Sequence, residues 1–272
     1  MKIVTLVENT ASCGTLGAEH GLCLYAETRK HRLLMDTGAS DLLLRNAAVL
    51  NVDLTKVDTV VLSHGHNDHG GGLPFFLKIN GRAQVYVQKS AFDSYYSIHE
   101  KPVFIGLSGE VSGNPRIVTV NDGRHIDEEL EIFSGIGVYE PVPSANRTLW
   151  VMRNGVFLQD DFRHEQCLVI NEDGRRVLLS GCAHHGILNI MREYVKRFGS
   201  APDAVISGFH LRKKTAYTDA DLAEIRNIAE KLLDYGTVFY TCHCTGDEPF
   251  DVMKSVMDDR LFRIRSGDIL NF

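Results

Sequence analysis

The stretch that says most about the fold is residues 63–72, which read Ser63-His64-Gly65-His66-Asn67-Asp68-His69-Gly70-Gly71-Gly72. Four potential metal ligands stand here in the order His-x-His-x-Asp-His, directly after an apolar run, residues 57–62, that predicts a buried strand. A cluster of this kind can hold two divalent metals side by side. Since a metal pair acidifies water and stabilises an oxyanion at neutral pH, the stretch predicts metal-dependent chemistry at the end of a strand.

The composition is that of a globular protein without a strong charge bias. The chain has 272 residues, of which 44% are hydrophobic, and we expect one domain over residues 1–272 with a large core. The net charge of −6 gives no footprint for nucleic acid or for an anionic membrane. The N-terminus reads as a strand and not as a signal peptide, and no apolar run approaches the roughly 20 residues of a membrane span. These features indicate a cytoplasmic protein with neither a nucleic-acid nor a membrane partner, and they leave a homo-oligomer open.

Short apolar runs alternate with helical patterns, as is typical of an α/β fold. Helices are predicted over Ala39–Leu50, over Ile187–Phe198, and from a capping box at Thr218 to Gly236. The main predicted strands are Lys2–Val7, Leu22–Glu27, Arg32–Met35, Thr59–Leu62, Ala83–Val87, Cys167–Asn171, Arg176–Ser180, Ala204–Ser207, Val238–Thr241 and Phe262–Ile264. In the Gly-, Pro- and Asn-rich middle, short antiparallel strands are predicted at Ile117–Val120, Glu131–Ser134 and Leu149–Met152. The segment Tyr95–Gly113 is either a loop over the site or an ordinary surface excursion.

Three later strands also run into turns that carry histidine. These turns are Gly181-Cys182-Ala183-His184, Gly208-Phe209-His210 and Cys242-His243-Cys244. Because ligands gather at the carboxyl ends of strands in layered α/β folds, we expect these turns and the cluster at residues 64–69 to meet in one cleft.

The spacing suggests two neighbouring metal sites. His64 and His66 are two apart on a turn and can face one ion, while Asp68 and His69 can face the next. His184 and His243 are the best candidates for the remaining ligands. Imidazoles suit zinc, and a carboxylate widens the choice to manganese or iron, so we predict two divalent ions, with zinc favoured.

Further residues are candidates for catalysis or substrate binding. Asp68 can steer a proton, and His210 is either a catalytic histidine outside the ligand set or a structural one. Arg212 and Lys213 are candidates to bind a substrate phosphate or form a solvated basic turn. His20 is placed at the border of the cleft, and residues 164–166 at its rim.

The sequence resembles the metallo-β-lactamase-fold superfamily. Residues 64–69 match the signature of that superfamily, and residues 33–38, a strand ending in Asp36, look like its first motif. Residues 19–22, 181–187, 208–211 and 243–246 resemble a branch typified by 7,8-dihydropterin-6-yl-methyl-4-(β-D-ribofuranosyl)aminobenzene 5'-phosphate synthase.

The resemblance implies a four-layer αββα sandwich, two mixed sheets flanked by helices, with the metal cleft at one edge. It implies that His184 joins His64 and His66, that His243 joins Asp68 and His69, and that Asp36 orients a ligand histidine. One departure concerns Cys182, which stands where many relatives have a metal-bridging aspartate. Cys182 can bind as a thiolate, pack inertly or support a ligand, and we favour the last two.

Three classes of function fit these features. The first is a metal-dependent hydrolase that attacks a small anionic substrate, such as a phosphate ester, with activated water. The second is a transferase like the pterin synthase. The third is a diiron redox protein or a non-catalytic metal-binding protein, and His66 argues against diiron chemistry because diiron relatives usually carry a glutamate there.

Overall fold

The computed structural model describes all 272 residues. Six α-helices occur: α1 (Leu42–Val49), α2 (Asn67–Gly70), α3 (Leu73–Ile79), α4 (Ile187–Phe198), α5 (Asp219–Leu233) and α6 (Asp247–Met257). The first nine strands are β1 (Lys2–Val7), β2 (Cys23–Glu27), β3 (Arg32–Met35), β4 (Thr59–Val61), β5 (Gln84–Gln88), β6 (Ser94–Ile98), β7 (Pro102–Phe104), β8 (Ile117–Val120) and β9 (Gly123–His125). The last nine are β10 (Leu130–Ser134), β11 (Leu149–Arg153), β12 (Val156–Gln159), β13 (Gln166–Glu172), β14 (Arg175–Leu179), β15 (Ala204–Ser207), β16 (Val238–Thr241), β17 (Leu261–Arg263) and β18 (Ile269–Asn271).

The strands form two large mixed sheets and one small sheet. The first sheet has the order β18-β1-β2-β3-β4-β5-β8, and the second has the order β17-β16-β15-β14-β13-β10-β9. In each, one half is parallel and the other antiparallel. The third sheet, β12-β11-β6-β7, is antiparallel.

Three apolar cores define four layers. The alternation along β3 shows how the strands divide their side chains, because Leu34 faces an outer core while Leu33 and Met35 face the core between the two large sheets. The outer core of the first sheet takes residues of α1 and α3, and that of the second takes residues of α4, α5 and α6. Each fully buried Leu or Phe contributes about 1.5–3 kcal/mol to this packing. The predicted αββα sandwich is therefore confirmed.

Most predicted elements occur within one or two residues of their expected bounds, and two expectations were wrong. Ile117–Val120 is not antiparallel: it pairs in parallel with β5, Val85 opposite Ile117, as the edge of the first sheet. The segment Tyr95–Gly113 is not a loop, since it contains β7 and most of β6. In addition, α1 begins at Leu42 and not at Ala39, because a turn after Asp36 occupies the residues between them. No helix is long and apolar enough to cross a membrane.

Candidate metal centre

The predicted site residues lie on turns at the carboxyl ends of neighbouring strands. Strands β14, β15 and β16 are parallel neighbours, so the turns that follow them share one edge of the second sheet. The turns after β4, β14, β15 and β16 carry, in that order, residues 64–69, His184, His210 and His243. All of these segments contribute to one cleft of about 1200 Å³, as the sequence predicted.

Four residues in and beside these turns have left-handed backbone conformations. Asp36, Ala183, His210 and His243 have φ angles of 62°, 53°, 50° and 52°. A non-glycine residue in this region is strained by about 1–3 kcal/mol and persists only where its surroundings hold it. Such strain concentrates at functional sites.

The first group of ligand atoms comes from His64, His66 and His184. All three side chains are buried, and their ligand atoms lie within 4.8 Å of one another. The outer nitrogens of two rings are held: His64 Nδ1 lies 2.8 Å from Ser63 Oγ, and His184 Nδ1 lies 3.0 Å from Asn146 Oδ1. His66 Nε2 is buried without a hydrogen-bond partner.

The second group comes from Asp68, His69 and His243. His69 Nδ1 lies 2.7 Å from an Asp36 oxygen, and His243 Nδ1 lies 2.9 Å from Asn9 Oδ1. Asp68 Oδ2 lies 3.2 Å from His243 Nε2 and 3.8 Å from His69 Nε2.

Within each group, the inner nitrogens of two histidines face each other. His64 Nε2 lies 3.3 Å from His184 Nε2, and His69 Nε2 lies 3.3 Å from His243 Nε2. When Nδ1 donates to an oxygen, a neutral imidazole presents a lone pair at Nε2, so two such atoms face each other favourably only across a shared proton or cation. Ligand histidines in metalloproteins have this arrangement, the outer nitrogen on an oxygen acceptor and the inner one toward the ion. The residues present therefore fit two divalent metal ions.

The pKa values agree with that interpretation. Burial and neighbouring imidazoles lower the pKa values of His64 and His184 well below the usual range, which keeps both rings neutral as ligands require. Burial acts in the same direction on His69, but the carboxylates of Asp36 and Asp68 outweigh it and raise the pKa of His69 to about 9. A position that favours a proton on a buried histidine also favours another cation.

Asp36 organises both ligand groups at once. Its side chain accepts hydrogen bonds from His69 Nδ1, from the Ser63 amide at 2.7 Å and from the Ser63 hydroxyl at 2.7 Å. Since the Ser63 hydroxyl donates to Asp36, it accepts from His64 Nδ1 and so sets the tautomer of that ring. A Cβ at Gly181 would lie 2.2 Å from Ser63 Oγ, so only glycine leaves room for this serine. The geometry is that of a supporting residue, the role predicted for Asp36.

Two asparagines and two glutamates support the remaining ligands in matching ways. Asn146 accepts from His184 Nδ1 and donates Nδ2 to the His184 carbonyl at 2.7 Å. Asn9 likewise accepts from His243 Nδ1 and donates Nδ2 to the His243 carbonyl at 3.0 Å. The buried carboxylates of Glu165 and Glu8 accept the backbone amides of His184 and His243 at 2.6 and 2.7 Å respectively.

The sequence did not indicate these supporting residues. Residues 164–166 were singled out, but they were expected at the rim of the cleft, and that position was wrong. His164 and Glu165 are buried, and His164 Nδ1 accepts the Gly65 amide at 2.8 Å while Nε2 lies 3.1 Å from Asp160 Oδ2. No local pattern marks Asn9, which lies 234 residues from the histidine it binds.

Cys182 lies between the ligand groups. Its Sγ is 3.1 Å from His69 Nε2 and is within 4.8 Å of ligand atoms in both groups. Burial, with Cys244 beside it, raises the pKa of the Cys182 thiol well above its usual value. The supporting or packing role favoured for Cys182 stays a prediction.

The residues proposed for catalysis and substrate binding reach the cleft to different degrees. His20 lies 3.4 Å from Asp68 Oδ2. His210 packs edge-on against His184 with ring centroids 4.3 Å apart, and both of its ring nitrogens are buried without partners. Arg212 lines the cleft with an exposed guanidinium that makes no ion pair. Lys213 also lines it, but its ammonium is 2.6 Å from Asp221, so this lysine is already neutralised.

The small sheet contributes the roof of the cleft. The turn between β6 and β7 brings His99 Nε2 to 3.2 Å from Lys214 Nζ, on the opposite wall. A backbone bridge also joins His66 to Gly106, just after β7. The segment Tyr95–Gly113 therefore does lie over the site, although as a hairpin and not as a loop.

The comparisons with known proteins agree with the fold. The family model of the Metallo-beta-lactamase superfamily matches residues 16–243, and the chain belongs to this superfamily. The chain is 27% identical over 293 aligned positions to the 7,8-dihydropterin-6-methyl-4-(beta-D-ribofuranosyl)-aminobenzene-5'-phosphate synthase of Methanocaldococcus jannaschii, with 100% of this chain and 97% of the relative covered. It is 31% identical over 216 positions to an uncharacterized protein of the same organism, covering 77% of this chain and 79% of that one.

Solved structures add to this picture. The crystal structure of a metal-dependent hydrolase of the beta-lactamase superfamily is 28% identical, with a TM-score of 0.83 and 100% and 99% of the two chains covered. Zinc-bound PqqB from Methylobacterium extorquens, 13% identical with full coverage of both chains and a TM-score of 0.57, shares the fold.

Proposed function

We propose that this protein is a metal-dependent hydrolase that cleaves a small phosphate ester or similar anionic substrate at a site for two divalent ions, zinc being favoured. The observation that carries the proposal is the pair of facing Nε2–Nε2 contacts, 3.3 Å each, between histidines whose outer nitrogens are bound to oxygens. Bound ions of this kind would supply an acidified water and positive charge at a developing oxyanion.

The ligand set has three side chains for each ion. His64, His66 and His184 would hold one ion, and Asp68, His69 and His243 would hold the other, the assignment that the resemblance implied.

Two groups of the chain are placed to move protons. Asp68 has one oxygen 3.2 Å from His243 Nε2 and 3.4 Å from His20 Nε2, so it can accept a proton and pass it to the exposed side of the cleft. His210 has no hydrogen-bond partner for either ring nitrogen and lies against His184. It is therefore free to hold the proton that a leaving alkoxide needs, a role worth about 100-fold or more in rate.

The test compares metal-loaded and metal-free protein on 4-nitrophenyl phosphate and bis(4-nitrophenyl) phosphate. We expect hydrolysis with zinc or manganese that chelation abolishes, and its loss in His66→Ala. The matched control is His125→Ala, since His125 is exposed and lies outside the cleft. Normal turnover by His66→Ala would overturn the site assignment, and equal turnover with and without metal would overturn the metal dependence.

A second candidate is a transferase of the pterin synthase type. It is favoured by the 27% identity that extends over the whole chain to a synthase whose name describes a dihydropterin joined to a ribofuranosylaminobenzene phosphate. Such a reaction differs from hydrolysis in its acceptor and in the bond that breaks. The ring carbon or amine of the aminobenzene would attack the pterin methyl carbon and lose a proton, and the C–O bond to the departing phosphate or pyrophosphate would break, whereas in hydrolysis water attacks phosphorus.

One assay separates the two candidates. The metal-loaded protein is given a dihydropterin with a pyrophosphate on its 6-methyl carbon, with and without ribofuranosylaminobenzene 5'-phosphate, and the products are separated by chromatography. A hydrolase releases the 6-hydroxymethyl pterin whether or not the acceptor is present. A transferase forms the joined product and releases pyrophosphate only when the acceptor is present. Neither product, with two ions bound, would favour the metal-binding module.

A further inference from the structure

We propose that Arg147 and Arg212 form an anion-binding pair that holds a second phosphate of the substrate, one that is not at the reacting bond. The inference rests on the proposed function and adds a substrate class to it: small organic molecules with two phosphate groups, or with a phosphate remote from the leaving group. Arg147 was not among the residues that the sequence singled out.

Both guanidinium groups line the cleft and are free. Arg147 and Arg212 are exposed, and neither side chain forms a hydrogen bond or an ion pair in the structure. The other cations of the cleft wall have partners, because Lys213 binds Asp221 at 2.6 Å and Lys214 lies 3.2 Å from His99. Glu224, an unpaired carboxylate on the same wall, bonds to neither arginine.

Arg147 is fixed to the first metal group through its neighbour. Asn146 binds both the ring and the carbonyl of His184, and its own carbonyl accepts Gln159 Nε2 at 2.9 Å. The short 3₁₀ helix Ser144–Thr148 is thereby tied to a ligand histidine. Arg147 consequently starts from a rigid backbone at a set distance from the metal centre.

Arg212 is fixed to the second metal group by its backbone. Its amide donates to the Cys244 carbonyl at 3.0 Å, in the turn that carries His243. A Cβ on Gly246 would lie 3.2 Å from Arg212 Cβ, so the two segments are closely packed. The two arginines therefore line the same cleft from two different segments, each tied to a ligand histidine.

An unpaired guanidinium fork matches a phosphate group in both charge and geometry. Arginine donates two parallel hydrogen bonds to phosphate oxygens, and a desolvated dianion gains more from two such groups than from scattered lysines. Both side chains are long, so their conformational entropy favours binding only when the anion contacts them together. Such a substrate would place its reacting group at the metal ions and its second phosphate at the arginines. Its two anionic groups would then pair with the positive charges of both.

The test uses the zinc-loaded full chain and isothermal titration with propyl phosphate and with alkane bisphosphates of three, four and six carbons. We expect one bisphosphate to bind about tenfold more tightly than propyl phosphate, the gain of one charge-assisted phosphate contact. Arg147→Ala and Arg212→Ala should each bring the affinity for that bisphosphate down to about that for propyl phosphate. The control is Arg82→Ala, since Arg82 is also exposed and free of ion pairs but lies outside the cleft.

Each result decides the matter. A preference that survives in both arginine variants, or no preference in the unchanged protein, overturns the proposal. Were the protein to bind no zinc, the hydrolytic function would fail separately. Propyl phosphate would then be held by the arginines alone, and its affinity should fall about tenfold in Arg147→Ala; an unchanged affinity would again overturn the pair.

Discussion

Replacing Asp36 with asparagine tests the hydrogen-bond network that orients both ligand groups. The Asp36 carboxylate is fully buried and accepts three hydrogen bonds, two from Ser63 and one from His69 Nδ1, each 2.7 Å long. An amide of the same shape offers one acceptor oxygen and two N–H donors. At least one of the three donors must then face another donor or turn away.

Either rearrangement disturbs a ligand histidine. If the Ser63 hydroxyl turns to accept from the new amide, it donates to His64 Nδ1, and the proton of His64 moves to Nε2, where it blocks metal binding. If instead the amide N–H faces His69, the Nδ1 proton of His69 loses its acceptor. Loss of one such supporting contact costs about 10- to 100-fold in metal affinity. Because Asp36→Asn affects both groups, we expect the upper value, about 100-fold or 2.7 kcal/mol.

The assay is competition for zinc between the protein and a chromophoric chelator at pH 7.5, with circular dichroism to verify the fold. The control is Asp58→Asn, since Asp58 Oδ1 also binds a histidine Nδ1, that of His31, at 2.8 Å but outside the cleft. We expect its zinc affinity to stay within twofold of the unchanged protein. An Asp36→Asn variant that binds two zinc ions with unchanged affinity would refute the reasoning.

Two further substitutions test other parts of the structure. Asn146→Ala removes both contacts to His184 and should weaken one of the two zinc sites about tenfold, seen in the same competition assay as a split between two affinities; equal weakening of both sites would contradict it. His31 is held between Asp58 and Asp127, and although burial opposes it, these hydrogen bonds raise its pKa above 6.5. The folded state therefore gains stability from His31 below its unfolded pKa and loses it as pH rises through the folded pKa. In urea titrations, His31→Gln should lower the free energy of unfolding by about 1–2 kcal/mol at pH 5.5 and by clearly less at pH 9; a loss that does not depend on pH would contradict this.

Much of the fold could be predicted because the sheets are strongly patterned. The apolar runs that became β1, β3, β15 and β16 were assigned to the residue, and the capping box at Thr218 marked the start of α5. The pairing of Ile117–Val120 was wrong because a four-residue run does not encode strand direction; that depends on the long connection after β5, which contains β6 and β7 and brings the run back parallel to β5. The hairpin in Tyr95–Gly113 pairs a fully exposed strand, β7, with a mostly half-buried one, β6, so its sequence lacks a clear strand pattern and resembles a loop.

The ligands were easier to predict than their support. His64, His66 and His69 lie within six consecutive residues, and His184 and His243 closely follow predicted strands, so the ligand positions could be predicted from the sequence. Asn9, Asn146, Glu8 and Glu165 act through contacts between distant segments that no local spacing records. Arg147 could not be predicted either, because no sequence pattern distinguishes an arginine that lines a cleft from any other exposed arginine.

Several expectations stay predictions. These are the single domain over residues 1–272, the cytoplasmic location, the absence of nucleic-acid and membrane partners, and self-association. Size-exclusion chromatography with light scattering would decide the oligomeric state.

The central claim is that the chain binds two divalent ions through two histidine groups. Its most direct test is metal content by plasma mass spectrometry, on protein incubated with a small excess of zinc and then dialysed. We expect close to two zinc ions per chain in the unchanged protein, and close to one in His184→Ala, whose loss affects only the first group. Fewer than one ion per chain in the unchanged protein would contradict the account, as would two ions retained in His184→Ala.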